Sequence, residues 1–214
     1  MVILFFTLIG CNSTNVWPDG EIKFTSSKSV GRVLIITPLT LGWDSVTTYS
    51  TAIVSDINNN PILIDGEYYL FYAGGGGVSN PKHELEIGFA TFTDPLGEYT
   101  KQGLIISRES VGLSGPGQGL APFDVKYING RYYMFVTAIY SNVDIRIATL
   151  ESTDLINWNN YKVIFDYYQR NHAPFILLDP DDNEKLIMYF SYIPEGGTCY
   201  RIGRAKASIT DLSF

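Results

Sequence analysis

The sequence predicts an all-β chain built as a β-propeller of four-stranded antiparallel blades. Three recurring phrases predict it. Ile87-Gly88-Phe89-Ala90-Thr91 returns as Ile145-Arg146-Ile147-Ala148-Thr149 and as Ile202-Gly203-Arg204-Ala205-Lys206. The copies stand about 58 and then about 57 residues apart, within the periods that mark propellers and solenoids. An aromatic phrase precedes each copy: Glu67 to Tyr72, Arg131 to Val136 and Lys185 to Phe190. A Thr-Asp phrase follows each, at Thr93-Asp94, Thr153-Asp154 and Thr210-Asp211. No stretch carries a helical period. A sandwich would not predict such regular internal similarity.

The middle unit is the plainest. Phe123 to Ile128 reads as a short strand, and Asn129-Gly130 as a type I′ hairpin turn, which needs positive φ at both positions. Arg131 to Tyr140 is the return strand, Ser141 to Asp144 a turn, Ile145 to Leu150 the third strand. Asp154 to Asn160 turns the chain around Trp158, and Lys162 to Phe165 is the fourth strand. In the first unit Pro61 to Ile64 leads through Asp65-Gly66 to Glu67–Tyr72, then Glu86 to Phe92, then Leu104 to Ile106. Gly74 to Gly77 reads as a flexible loop, since no Lys-Ser/Thr follows to make a phosphate loop. The third unit runs from Pro174 to Leu178, turns at Asp179 to Asn183, and returns over Lys185 to Ser191. About three blades are present, or slightly more if residues 17 to 60 hold part of another; propellers typically have about four to eight. The sequence therefore reads as a fragment.

Composition excludes some partners. The net charge is −7 with no Lys/Arg cluster, so no nucleic-acid footprint is present. Two cysteines make neither a disulfide framework nor a zinc site, and His83 and His172 match no metal motif. No metal or other cofactor is expected from these residues.

Residues 1–16 read as a signal-like start and tether, and residues 17–214 as the partial propeller. The apolar run from Met1 to Ile9 is too short to span a bilayer, which takes about 20 apolar residues, and has the length of a signal-peptide core. Leu8-Ile9-Gly10-Cys11 has the form of a bacterial lipobox with Cys11 as the acylated residue, and Asn12 to Asn15 is a polar tether. No Lys or Arg precedes the run. Either the start is truncated, or this is a buried strand. The expectation is an exported protein, periplasmic, cell-surface or extracellular, attached to a membrane through Cys11.

Asp65-Gly66-Glu67-Tyr68-Tyr69-Leu70-Phe71-Tyr72, followed by Ile87-Gly88-Phe89-Ala90-Thr91 and Asp94-Pro95-Leu96-Gly97, resembles the five-bladed propeller glycosidases. These are glycoside hydrolase families 43, 32 and 68 and their relatives. Gly42-Trp43-Asp44-Ser45 and Ser152-Thr153-Asp154-Leu155-Ile156-Asn157-Trp158 are phrases of the same group. The resemblance covers roughly residues 40 to 214. It implies a five-bladed whole and a carbohydrate substrate. It also implies an acid and a base at the starts of innermost strands, since one carboxyl must stay protonated while its counterpart stays ionised. Some relatives carry a structural Ca²⁺, but no ligand set for one is visible.

The family's acids typically precede a proline, and here the matching places read Asn60-Pro61, Leu120-Ala121-Pro122 and His172-Ala173-Pro174. None is a carboxylate. His172 would stand in as proton donor. Asp44 and Asp124 are the remaining carboxylate candidates, and each also has a structural reading, as a turn residue and as a strand residue. Glu195 is a weaker candidate in a solvated loop. Asn60, Trp43, Arg170 and Asn171 are the expected sugar contacts, with Trp158, Tyr140, Tyr167 and Tyr168 as further aromatic platforms. Asp65, Asp94, Asp154 and Asp211 recur at equivalent points of the repeat and therefore read as turn and cap residues. Three functions compete: a glycoside hydrolase acting on poly- or oligosaccharides, a non-catalytic carbohydrate-binding propeller, and a structural propeller. Fold alone does not choose among them.

Overall fold

The computed structural model describes residues 42–76, 84–94, 98–168, 170–212 and 214. The lipobox, Cys11, and His83 lie outside them. The strands, in chain order, are β1 Thr47–Asp56, β2 Tyr68–Gly75, β3 Glu86–Phe92, β4 Thr100–Ile106, β5 Gly119–Ile128, β6 Arg131–Ile139, β7 Ile145–Ser152, β8 Asn159–Phe165, β9 Arg170–Asp179, β10 Asp182–Ile193 and β11 Arg201–Ser208. One 3-10 turn, Arg108–Val111, follows β4, capped by Ser107 and closed by Gly112.

The first eight strands form two antiparallel four-stranded meanders, β1–β4 and β5–β8, and the last three form a third meander. This is the repeated unit of a β-propeller. The first strands of the first two meanders, β1 and β5, run parallel and pair from Val54↔Val125 to Asp56↔Tyr127. A single parallel bridge, Ile145↔Arg170, joins β7 to β9.

The hairpins follow their turn residues. Asn129 and Gly130 have φ of 50° and 84°, and Asp65 and Gly66 have φ of 53° and 84°. Both pairs therefore occupy the left-handed region that a type I′ turn demands. Asp154 caps its own turn, accepting from the backbone N–H groups of Ile156 and Asn157. The readings of Asp65 and Asp154 as turn residues agree with this geometry.

Two boundaries differ from the sequence reading. The inner strand of the first meander is β1, not Pro61 to Ile64, which makes only the isolated bridges Ser55↔Pro61 and Ile64↔Glu67. Gly74 and Gly75 belong to β2 rather than to a loop. Their bare backbone lets Trp43 lie on the sheet: a Cβ at Gly74 would meet the Trp43 ring at 2.4 Å, and one at Gly88 would meet it at 2.2 Å.

The middle meander is buried on both faces, which is why β6 reads as an unbroken apolar run. Met134 and Val136 pack with Val54, Phe71 and Val125 towards the first meander. Phe135 points the other way, with Ile176, Leu186 and Met188. The two-residue period of a strand separates these sets. Trp158 belongs to this packing: its indole meets Phe71 edge-on at 5.4 Å and donates to the Leu155 carbonyl at 2.9 Å. Tyr140 hydrogen-bonds Tyr161 and is covered by Arg146. Neither is a free platform for sugar. Cys199 is disulfide-bonded.

Candidate functional site

Each inner strand carries an irregularity in its first half. β1 bulges between Tyr49 and Thr51, β5 between Pro122 and Asp124, and β9 opposite Tyr189 to Ser191 of β10. Ser50 and Ala173 take φ of 40° and 54° there, uncommon for residues with a Cβ. Bulges re-aim side chains, and they gather beside functional sites. Here they assemble one cluster from three meanders. Tyr49 meets Phe123 edge-on, with ring centroids 6.3 Å apart. The Tyr200 hydroxyl lies near enough to raise that of Tyr49, whose burial is the larger cause. Tyr200 in turn meets the His172 ring at 4.7 Å. Tyr49 and Tyr200 are each about half exposed, at 53% and 50%.

Polar atoms on the bulged strands lack partners. Among the described residues, Ser50 Oγ and His172 Nε2 are buried and make no hydrogen bond. Such groups normally cost about 1–3 kcal/mol each, so an occupant that satisfies them is favoured. Burial, and then the Arg170 guanidinium, push the His172 imidazole down to about 4. At neutral pH the ring is therefore uncharged. Its Nε2, buried and without a partner, can hydrogen-bond a hydroxyl. Arg170 sits two residues away on the same strand and hence on the same face.

Asn171 faces the other way. It is fully buried, and its amide donates to the carbonyls of Ile145, at 3.4 Å, and Tyr168. It joins β9 to the middle meander, and its Oδ1 is buried without a hydrogen-bond partner.

Asp124 is a brace. It is 5% exposed, pairs with Lys126 at 2.9 Å, and accepts the Ile176 N–H at 2.8 Å across to β9. Lys126, 1% exposed, also donates to Ser55 Oγ at 2.9 Å and to Asn59. One buried network thus ties three inner strands. Burial raises the Asp124 carboxyl, while Lys126 and the Ile176 N–H oppose the shift.

Asp44 is equally committed. It is fully buried, and its Oδ2 accepts from Lys101 Nζ at 2.5 Å and Tyr72 OH at 3.0 Å. Burial first, and the Asp44 carboxylate second, hold the Tyr72 hydroxyl well above its usual range. Trp43, beside it, fills the glycine trough of β2 and β3 and is half-buried there. Asn60 lies past the far end of β1, its amide on Asp56 Oδ2 at 2.8 Å. Of the expected site residues, His172 and Arg170 come together on β9; Asp44 and Trp43 lie against β2, Asp124 in the buried network of the inner strands, Asn60 past the end of β1, and Asn171 on the opposite face of β9. Glu195 is exposed in its loop.

One feature escaped the sequence reading. Glu84 and Glu86 lead into β3 beside a cavity of about 170 Å³, lined also by Trp43, Arg108 and Glu109. Glu84 pairs with Arg108 at 3.7 Å. Burial, and then Glu109, raise the Glu86 carboxyl. The spacing Glu84-x-Glu86 was the available signal. Among the described residues no three His, Cys, Asp or Glu side chains group to hold a metal.

The fold is shared with solved glycoside hydrolases. A thermostable family-43 glycoside hydrolase superposes with a TM-score of 0.58 at 16% identity, over 77% of this chain and 49% of that one. The inulosucrase of Halalkalicoccus jeotgali, bound to kestose, gives 0.56 at 15% identity, over 78% and 50%. A family 117 glycoside hydrolase of the marine bacterium Zobellia galactanivorans gives 0.53 at 16%, over 77% and 53%. The chain thus spans about half the length of these structures. No family model and no curated protein matches it.

Proposed function

We propose that this chain recognises carbohydrate at the cluster formed by Tyr49, Phe123, His172 and Tyr200. The observation that carries the reading is the buried, unpartnered His172 Nε2 against the half-exposed Tyr200 ring, with a second unpartnered atom, Ser50 Oγ, next in sequence to Tyr49. Aromatic faces take the C–H faces of pyranose rings, and the orphaned atoms take hydroxyls. The fold common to the glycoside hydrolases supports the substrate class. Calorimetry of the full chain against arabinan, fructan and galactan oligosaccharides tests it. Binding that weakens at least about tenfold in Tyr200→Ala is expected. No binding to any glycan would overturn it.

Hydrolysis is the second reading, and Glu84 with Glu86 favours it. Two carboxyls whose surroundings differ, one ion-paired to Arg108 and one raised by burial, are the pattern that divides base from acid. Reducing-sugar release that Glu86→Gln abolishes, with glycan binding intact, would support it. Release that survives Glu86→Gln would remove Glu86 from the chemistry.

Export with an acylated Cys11 is a further proposal, supported by the Leu8-Ile9-Gly10-Cys11 phrase. Metabolic labelling with a palmitate analogue, lost in Cys11→Ala, would support acylation; an unlabelled protein would contradict it.

A further inference from the structure

Five Lys or Arg residues among the described residues are mostly buried: Lys101, Arg108, Lys126, Arg146 and Arg170. Four have a carboxylate partner, namely Asp44, Glu84, Asp124 and Asp144. Arg170 makes no ion pair. Elsewhere the fold neutralises each half-buried cation, as the cost of removing a charge from water requires. The exception falls beside the sugar cluster. Arg170 and His172 share a face of β9, because Ile193↔Arg170 and Ser191↔His172 are regular pairs with no bulge between them.

We infer that the site is built for an acidic glycan, with Arg170 receiving a carboxylate or sulfate group and His172 Nε2 supplying a hydrogen bond beside it. The inference rests on the reading of this cluster as a sugar site. A neutral sugar would satisfy His172 and leave Arg170 unmatched. An anionic group satisfies both, since guanidinium takes a carboxylate or sulfate through parallel N–H bonds. The chain as a whole is anionic, with a net charge of −7. Selection of an acidic sugar therefore has to come from local cations, and Arg170 is placed to provide one.

The test is calorimetry of the full chain with tetragalacturonate, its methyl ester, and a sulfated galactan tetrasaccharide with its desulfated counterpart. Each pair has one skeleton with and without the charge. At least one charged probe is expected to bind about tenfold or more tighter than its neutral counterpart. Arg170→Gln removes that preference, and Arg170→Lys keeps part of it. If Arg170→Gln fails to fold, the wild-type contrast within each pair still decides. Equal binding within both pairs, weakened by Tyr200→Ala, overturns the acidic assignment and leaves the sugar site standing. Binding to none of the four, nor to the neutral arabinan and fructan oligosaccharides, overturns both.

Discussion

Asp124 was a catalytic candidate from sequence, and the structure makes it half of a buried ion pair. The two roles predict opposite results for Asp124→Asn. Asparagine keeps an oxygen for the Ile176 N–H but withdraws the charge opposite Lys126. That lysine is 1% exposed, and its other partners, Ser55 Oγ and Asn59, are neutral. Breaking a buried pair from one side costs about 3–5 kcal/mol, a large part of the roughly 5–15 kcal/mol that holds a domain together. Lys126→Met leaves the carboxylate instead. Its folded value is already raised by burial and loses its chief opposing charge. The folded state then binds the proton first, so this variant gains stability as the pH falls from 7 towards 5. The double variant D124N/K126M removes both charges and is expected to lose less than the sum of the singles, with a coupling of about 1–3 kcal/mol. Urea unfolding at pH 7 reads all three midpoints. A midpoint for Asp124→Asn within about 0.5 kcal/mol of the parent would refute the brace.

Three further outcomes follow from named contacts. Gly88→Ala drives a Cβ to 2.2 Å from the Trp43 ring and 2.5 Å from the Gly103 carbonyl, so it should destabilise by about 1–3 kcal/mol and shift Trp43 fluorescence; an unchanged Tm and spectrum would contradict the trough. Gly130→Ala, at φ 84°, should cost about 1 kcal/mol in chemical denaturation. His172 is held at about 4, below its ordinary value of 6.5, so the unfolded chain takes its proton first. Its contribution is present above pH 6.5 and is lost as the pH falls towards 4, amounting to about 3 kcal/mol at most. His172→Gln should flatten the stability curve across that window, and an unchanged slope would contradict the buried neutral ring.

The repeat was legible because it is made of what strands bury. The aromatic phrases fall on β2, β6 and β10, and the Ile-x-x-Ala phrases on β3, β7 and β11. The two Gly-containing hairpins were legible because their φ values admit few other residues. The first inner strand was not. Thr47 to Thr51 is polar, and Pro61 with Asp65-Gly66 gave a stronger but misleading signal. That misreading carried Asn60 into the site. Charge pairing was equally hidden: nothing in the sequence says that Asp44 meets Lys101, 57 residues on, or that Asp124 meets the backbone of Ile176. The bulges that bring Tyr49 and His172 to one cluster place Ser50 and Ala173 at positive φ, which their residue types do not announce.

The chain has only two histidines, which makes the central claim directly readable. The measurement is a ¹⁵N-histidine NMR titration of the full chain with whichever oligosaccharide binds most tightly by calorimetry. The account predicts that the Nε2 resonance of His172, assigned through His172→Gln, moves as its orphaned nitrogen gains a partner, with the calorimetric Kd. Saturable binding that leaves the His172 resonance in place would contradict the site.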